Sequence, residues 1–97
     1  MAVQKTENQI LVINRVKKLR VEGSMSQQQL ALIIDATNGT VGNIESLKYP
    51  NKYTLTQLNA IAHYFNVPIE SFFTTEGEEI SIGSYTDRVC EYLDGEK

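Results

Sequence analysis

Polar and apolar positions are distributed along the chain in a pattern that predicts helices and marks where three of them begin. Each start is marked by a hydroxyl residue followed three positions later by glutamine, and the three pairs are Thr6 with Gln9, Ser26 with Gln29, and Thr54 with Gln57. In such a capping box the hydroxyl accepts a hydrogen bond from an amide of the first turn, and the glutamine reaches back to the amide of the capping residue. Apolar residues three or four positions apart follow each pair, so we predict helices over about residues 7–22, 27–34 and 55–65.

Two shorter helices complete the predicted fold. We predict that the first of them starts directly after Thr37, with Val41 and Ile44 facing inward, and that it ends before the turn-rich segment 48–52. Pro68 can open a fifth helix, because its missing N–H is not needed in the first turn. The predicted core consists of the inward-facing side chains of these helices: Val12, Val16, Leu19, Leu30, Ile34, Val41, Ile44, Leu58, Ile61, Ala62, Phe65, Ile69, Phe72 and Phe73. We therefore predict an all-α, five-helix domain.

The last quarter of the chain has a different pattern. Ile80 and Ile82 alternate with polar residues across 78–84, which is typical of a short strand or an extended arm. After it, four apolar side chains fall on one helical face: Tyr85, Val89, Tyr92 and Leu93. We therefore predict a domain over residues 1–74 and a C-terminal extension over residues 75–97, made of a strand or arm and a helix.

Charge is divided unevenly between these two parts. The chain has 97 residues and a net charge of −3. Residues 1–73 carry seven basic and five acidic side chains, a net charge of +2, whereas residues 74–97 carry two basic and seven acidic side chains, a net charge of −5. The acidity of the whole chain is therefore a property of the extension, and a mildly basic domain is compatible with a nucleic-acid partner.

The composition gives no support to catalysis, metal binding or membrane insertion. Cys90 and His63 are the only cysteine and histidine, so the chain lacks the ligands of a disulfide or a Cys/His metal site. No nucleophile–base set or glycine-rich phosphate loop occurs. No apolar run approaches the ~18 residues of a membrane span, and the first residues lack the apolar segment of a secretion signal. We expect a cytoplasmic protein that is not an enzyme and has no cofactor and no metal.

Residues 27–46, QQQLALIIDATNGTVGNIES, resemble the helix-turn-helix of the λ repressor/Cro-like family, also called the XRE family. Ala31 supplies the small residue needed where two steeply crossed helices come closest, and Asp35 stands at a turn position that favours positive φ, where the family usually has glycine. The likeness extends over roughly residues 8–73. It implies a DNA-binding domain whose helix-turn-helix spans about residues 26–47.

The resemblance also implies which residues meet double-stranded DNA, because in this family the N-terminal part of the second motif helix reads base edges in the major groove. By position, the base contacts are Thr37, Asn38, Gly39 and Asn43. The implied contacts to the DNA backbone are Gln27, Gln28, Thr40, Lys48, Tyr49, Asn51 and Lys52. The pair Arg20 and Glu45 matches a structural ion pair that ties the first helix to the end of the third.

Gly39 and Gly42 are unusual in this short helix, since each costs ~1 kcal/mol relative to alanine at an exposed helical position. Their missing side chains either let the helix backbone lie close to the groove or leave the helix partly frayed until it binds DNA. Both interpretations stay open at the level of the sequence.

The function that these features favour is sequence-specific binding of double-stranded DNA by a homodimeric transcriptional regulator. The alternative is an interaction protein, such as an antitoxin whose acidic extension binds a protein partner. The apolar residues of the extension can pack on their own domain, on a second copy of the chain or on a different protein. We expect the second copy, because a symmetric dimer doubles the DNA contacts and sets the spacing of two half-sites.

Overall fold

The structure is a computed structural model that describes residues 5–37, 39–75, 78–79 and 81–94, and all the regular secondary structure in these residues is helical. The five α-helices are α1 (Glu7–Glu22), α2 (Gln27–Ile33), α3 (Thr40–Glu45), α4 (Leu55–Phe65) and α5 (Ile82–Asp94), and a 3-10 helix (Ile69–Phe73) lies between α4 and α5. The prediction of an all-α fold is confirmed.

The three predicted capping boxes form and fix the starts of α1, α2 and α4. In each box the cap hydroxyl accepts a hydrogen bond from the amide three residues later, at 3.0–3.1 Å. The glutamine Oε1 atom accepts the amide of the capping residue at 2.8–3.0 Å. These bonds satisfy amides that have no partner inside the helix, so the helices begin where the local sequence predicts.

The core lies among α1 to α4 and the 3-10 helix, and it contains the predicted apolar residues. All of these are buried except Leu19, Phe65 and Ile69, which are partly buried at the edge of the core. Other buried residues lie outside the predicted set, among them Gln9, Ile13, Tyr53 and Tyr92. The last two aromatic residues join the extension to the domain.

The apolar face of α5 folds back on the same chain, where the helix packs against α1 and the 3-10 helix. Tyr92 is fully buried, and its hydroxyl donates a hydrogen bond to the main-chain oxygen of Tyr53 at 2.7 Å. The rings of Tyr85 and Tyr92 both meet the ring of Phe73 edge-on. Val89 is partly buried against the same core. The predicted helix is present in the extension, and three of its four apolar residues contact their own domain.

Polar contacts add to this packing. Asn8 of α1 donates to the main-chain oxygen of Arg88 at 2.6 Å, and Gln9 donates to that of Tyr92 at 3.0 Å. Arg88 donates to the main-chain oxygen of Phe73 at 2.9 Å, and within the extension it pairs with Glu78 at 2.7 Å. The hydrogen bond from Arg88 is the main reason why the pKa of Glu78 is lowered to about 2. α5 is therefore fixed to the domain at several points along its length.

The strand or arm predicted across 78–84 is replaced by helix in its second half. Ile82 begins α5, and the Ser81 hydroxyl accepts the amide of Ser84 at 3.2 Å, as a helix cap does. Ile80, the other apolar residue of the alternating pattern, lies outside the described residues. Two apolar residues spaced two apart are too short a signal to separate a strand from the first turn of a helix.

Candidate DNA-binding surface

The segment from α2 to α3 is held together by buried apolar side chains and by a main-chain hydrogen bond across the turn. Leu30 and Ala31 of α2 are buried, as are Val41 and Ile44 of α3. The amide of Ala36 donates to the oxygen of Ala31 at 2.8 Å. The two helices therefore pack through the residues that the sequence pattern placed on the inside of the motif.

Two left-handed residues shape the connection between these helices. Asp35 has a φ of 54°, as its place in the motif predicts, and Gly39 has a φ of 88°. Gly39 is the N-terminal cap of α3, at a backbone conformation that glycine adopts without steric cost. α3 consequently begins at Thr40, and the prediction that it starts directly after Thr37 is wrong by two residues. Thr37 lies in the preceding turn, with its hydroxyl 2.9 Å from that of Thr40.

Gly42 has a packing role inside the chain. A Cβ atom at this position would lie 3.3 Å from Oε1 of Gln27. The Gln27 side chain lies there because its Nε2 atom donates to Oε1 of Glu45 at 2.9 Å. Glycine therefore leaves room for a side chain of α2 to cross α3, which is a different role from the two that the sequence suggested.

A two-point ion pair ties α1 to the last residue of α3. Nε and Nη2 of Arg20 donate to the two carboxylate oxygens of Glu45 at 2.8 and 2.9 Å, and Nη1 donates to the main-chain oxygen of Met25 at 2.8 Å. The side chains of Arg20 and Glu45 are only 12% and 4% exposed. With the added bond from Gln27, the carboxylate accepts three hydrogen bonds, which compensates its burial.

Lys5 makes a second connection to the end of α3, and no pattern in the sequence predicted it. Its Nζ atom donates to the main-chain oxygens of Ser46 and Tyr49. The residue is 8% exposed, and this burial lowers the pKa of its amino group. A lone lysine ahead of the first capping box has no spacing or partner motif that would distinguish it from a surface residue.

A family model described as "Helix-turn-helix" matches residues 16–72, which include α2, α3, α4 and most of the core. The chain belongs to the λ repressor/Cro-like (XRE) helix-turn-helix family. It is therefore a DNA-binding regulator of the helix-turn-helix type. No curated protein and no solved structure gives a significant match. In the part of the chain that the structure describes, no helix is long and apolar enough to cross a membrane.

Most of the residues that the family likeness assigns to DNA are open to solvent in this helix-turn-helix protein. The exposed ones are Gln27, Gln28, Thr37, Gly39, Asn43, Lys48, Tyr49 and Asn51. Thr40 and Lys52 are partly buried, and Asn38 lies outside the described residues. Three contacts fix the position of α2, of α3 and of the loop after α3. They are the Arg20–Glu45 ion pair, the Gln27–Glu45 hydrogen bond and the contacts of Lys5.

The histidine and the cysteine of the chain both lie outside this surface. His63 is exposed on α4, and Cys90 is exposed on α5. Among the residues that the structure describes, no three side chains of the His, Cys, Asp or Glu type are grouped in a way that could hold a metal ion.

Proposed function

We propose that this helix-turn-helix protein binds double-stranded DNA sequence-specifically, with α3 in the major groove, and regulates transcription as a homodimer. The observation that carries the proposal is the position of Asn43 on a firmly held α3. Val41 and Ile44 of this helix are buried, whereas Asn43 between them is exposed and makes no side-chain hydrogen bond with any described residue. A carboxamide in that position can pair with the N6 and N7 atoms of adenine.

The loop after α3 supplies the contacts that position the protein on DNA. Lys48, Tyr49 and Asn51 are exposed in this loop, and a cation with neighbouring hydrogen-bond donors suits phosphate oxygens. Gln27 and Gln28 at the start of α2 belong to the same proposed set. Because Gln27 also donates to Glu45, its contact couples the DNA backbone to the ion pair that holds α3.

Substitution of Asn43 and of Lys48 separates base recognition from positioning. We expect Asn43→Ala to weaken binding to the preferred site by ~1–3 kcal/mol and to reduce base preference at one position of each half-site. Lys48→Ala should weaken binding to all sequences alike and lower the slope of log affinity against log salt by about 1 per half-site. Both effects are measured by competition binding with duplexes that vary at single positions.

The matched control is Lys17→Ala, which removes the same charge from an exposed position on α1. It should leave base preference unchanged and alter the salt slope less than Lys48→Ala does. If Asn43→Ala and Lys48→Ala both lose affinity with the base preference intact, α3 is not the helix that reads the bases.

The homodimer is supported by apolar surface that α5 leaves exposed. Ile82 is 85% exposed and Leu93 is 39% exposed, although both belong to a helix whose other apolar residues are packed. Between α5 and α4 there is also a groove of about 460 Å³, lined by Leu55 of α4 and by Thr86 and Cys90 of α5, among others. A second copy of the chain can cover this surface through a symmetric contact, because both the protruding side chains and the groove are present on each copy.

We expect Ile82→Glu to shift the protein from dimer to monomer at micromolar concentration, because it places a charge in the proposed contact. Sedimentation velocity checks the change, and binding to a two-half-site duplex should become weaker and more steeply dependent on protein concentration. Val21→Glu is the control, since Val21 is 57% exposed at the end of α1 and lies outside the proposed contact. An Ile82→Glu protein that sediments as a dimer would remove α5 from the interface.

A further inference from the structure

The loop that follows the short helix α3 makes few hydrogen bonds with that helix. α3 has six residues, and its last carbonyl groups cannot find partners within the helix. The amide of Ser46 still donates to the oxygen of Gly42 at 3.0 Å, and the Ser46 hydroxyl accepts the amide of Lys48 at 3.2 Å. Beyond these bonds, Leu47, Lys48 and Tyr49 are exposed. A loop of this kind needs an external contact to hold one conformation.

Lys5 supplies that contact from the segment before α1. Its amino group donates to the main-chain oxygens of Ser46 and Tyr49, which stand on either side of Lys48. Both bonds join residues more than forty positions apart in the sequence, and they connect the segment before α1 to the loop after α3. The cation also lies at the C-terminal end of α3, where the helix dipole favours positive charge.

The burial of Lys5 indicates a specific contact. Lysine is almost never as buried as this unless its amino group has partners, because moving an ammonium group out of water is unfavourable. Both acceptors of Lys5 among the described residues are main-chain carbonyls. The amino group therefore acts on the path of the backbone rather than on a neighbouring side chain.

We propose that Lys5 is a positioning residue for DNA binding, which holds the carbonyls of Ser46 and Tyr49 inward so that the side chains of Lys48 and Tyr49 stay directed at the DNA backbone. This inference rests on the proposed DNA-binding function of the loop. Lys5 does not touch DNA in this arrangement. Because Lys5 already orders the loop in the unbound protein, the loop loses less conformational entropy when it binds phosphate.

Lys5→Met tests this role, since it keeps most of the length of the side chain and removes the donor. We expect binding to weaken about tenfold on every duplex, with base preference unchanged, because the loop must then be ordered on binding. The salt slope should fall by about as much as in Lys48→Ala, since the phosphate contact of Lys48 is weakened. Lys5→Arg should restore part of the affinity, because a guanidinium group can donate to two carbonyls.

Two comparisons separate positioning from a general loss of charge or stability. Lys17→Met, at an exposed position of α1, should change affinity much less than Lys5→Met. The combined variant Lys5→Met with Lys48→Ala should bind about as well as the weaker single variant, because both substitutions remove the same phosphate contact. Full additivity of the two effects, or wild-type affinity and salt slope for Lys5→Met, would overturn the proposal. Thermal unfolding of each variant fixes a temperature at which all of them are folded.

Amide hydrogen exchange in the absence of DNA tests the contact itself. Lys5→Met should increase exchange at residues 47–49 and leave exchange in α4 unchanged, and Lys5→Arg should reverse part of the increase. Unchanged exchange at residues 47–49 would overturn the proposal whatever the DNA result. If the wild-type protein bound no duplex while exchange responded as expected, the proposed function would fail and the loop contact of Lys5 would stand.

Discussion

Glu45→Ala is expected to lower the free energy of unfolding by about 3–5 kcal/mol, because it leaves a buried guanidinium group without its carboxylate. The Glu45 side chain is 4% exposed and that of Arg20 is 12% exposed, so water cannot fully replace the lost partner. The substitution also removes the acceptor of the Gln27 side chain and thereby loosens the packing of α2 across Gly42. Urea unfolding followed by circular dichroism measures the change.

The exposed ion pair of the extension provides the matched control. Arg88 and Glu78 also form a close pair, at 2.7 Å, but their side chains are 30% and 28% exposed. Glu78→Ala should therefore shift the urea midpoint much less than Glu45→Ala, since water and salt screen such a pair. If the two substitutions shifted the urea midpoint equally, burial would not be the reason why the Arg20–Glu45 pair stabilises the fold.

Tyr92→Ala should destabilise the protein by a similar amount, about 3–5 kcal/mol, because it removes a large side chain from the core. Tyr92 is 0% exposed, its ring packs against that of Phe73, and its hydroxyl satisfies the main-chain oxygen of Tyr53. The cavity and the unsatisfied carbonyl would both remain after the substitution. Urea unfolding of the full chain checks this value.

Glu91→Ala is the neighbouring control, since Glu91 is exposed on the same turn of α5 and lies outside the proposed dimer contact. It should change stability far less than Tyr92→Ala. If the two substitutions had equally small effects, α5 would be a detachable extension, and the division predicted at residue 74 would hold for folding as well as for sequence pattern. A large effect of Tyr92→Ala alone would place α5 in the same cooperative unit as the domain.

The parts of the fold that the sequence predicted well depend on local physics. Thr6, Ser26 and Thr54 each cap a helix through a bond to a residue three positions away, so the signal and its structural cause lie in the same short segment. The start of α3 was placed two residues early because its cap, Gly39, has no side chain that a capping pattern could reveal. Gly42 could not be explained either, since its neighbour Gln27 comes from another helix.

In the candidate site, too, some contacts could be predicted from the sequence and others could not. The family likeness implied that Arg20 and Glu45 form a pair, and the structure brings their side chains into contact. The contacts of Lys5 with Ser46 and of Tyr92 with Tyr53 join residues 41 and 39 positions apart. Such contacts follow from how the helices pack, and neither the composition nor the periodicity of the sequence indicates them. The helix α5 was predicted, but we expected its apolar residues to pack on a second copy, whereas Tyr85, Val89 and Tyr92 pack on their own domain, and no local pattern indicated that partner.

Selection from a pool of random duplex DNA tests the central claim most directly, because every possible site competes for the protein at once. The full chain should enrich one motif, arranged as two related half-sites about one helical turn apart, as expected for a dimer that places one α3 in each of two major grooves. The enriched duplex should then bind far more tightly than a scrambled duplex of equal length at the same salt concentration. Enrichment of no motif, with equal affinity for the two duplexes, would contradict the account.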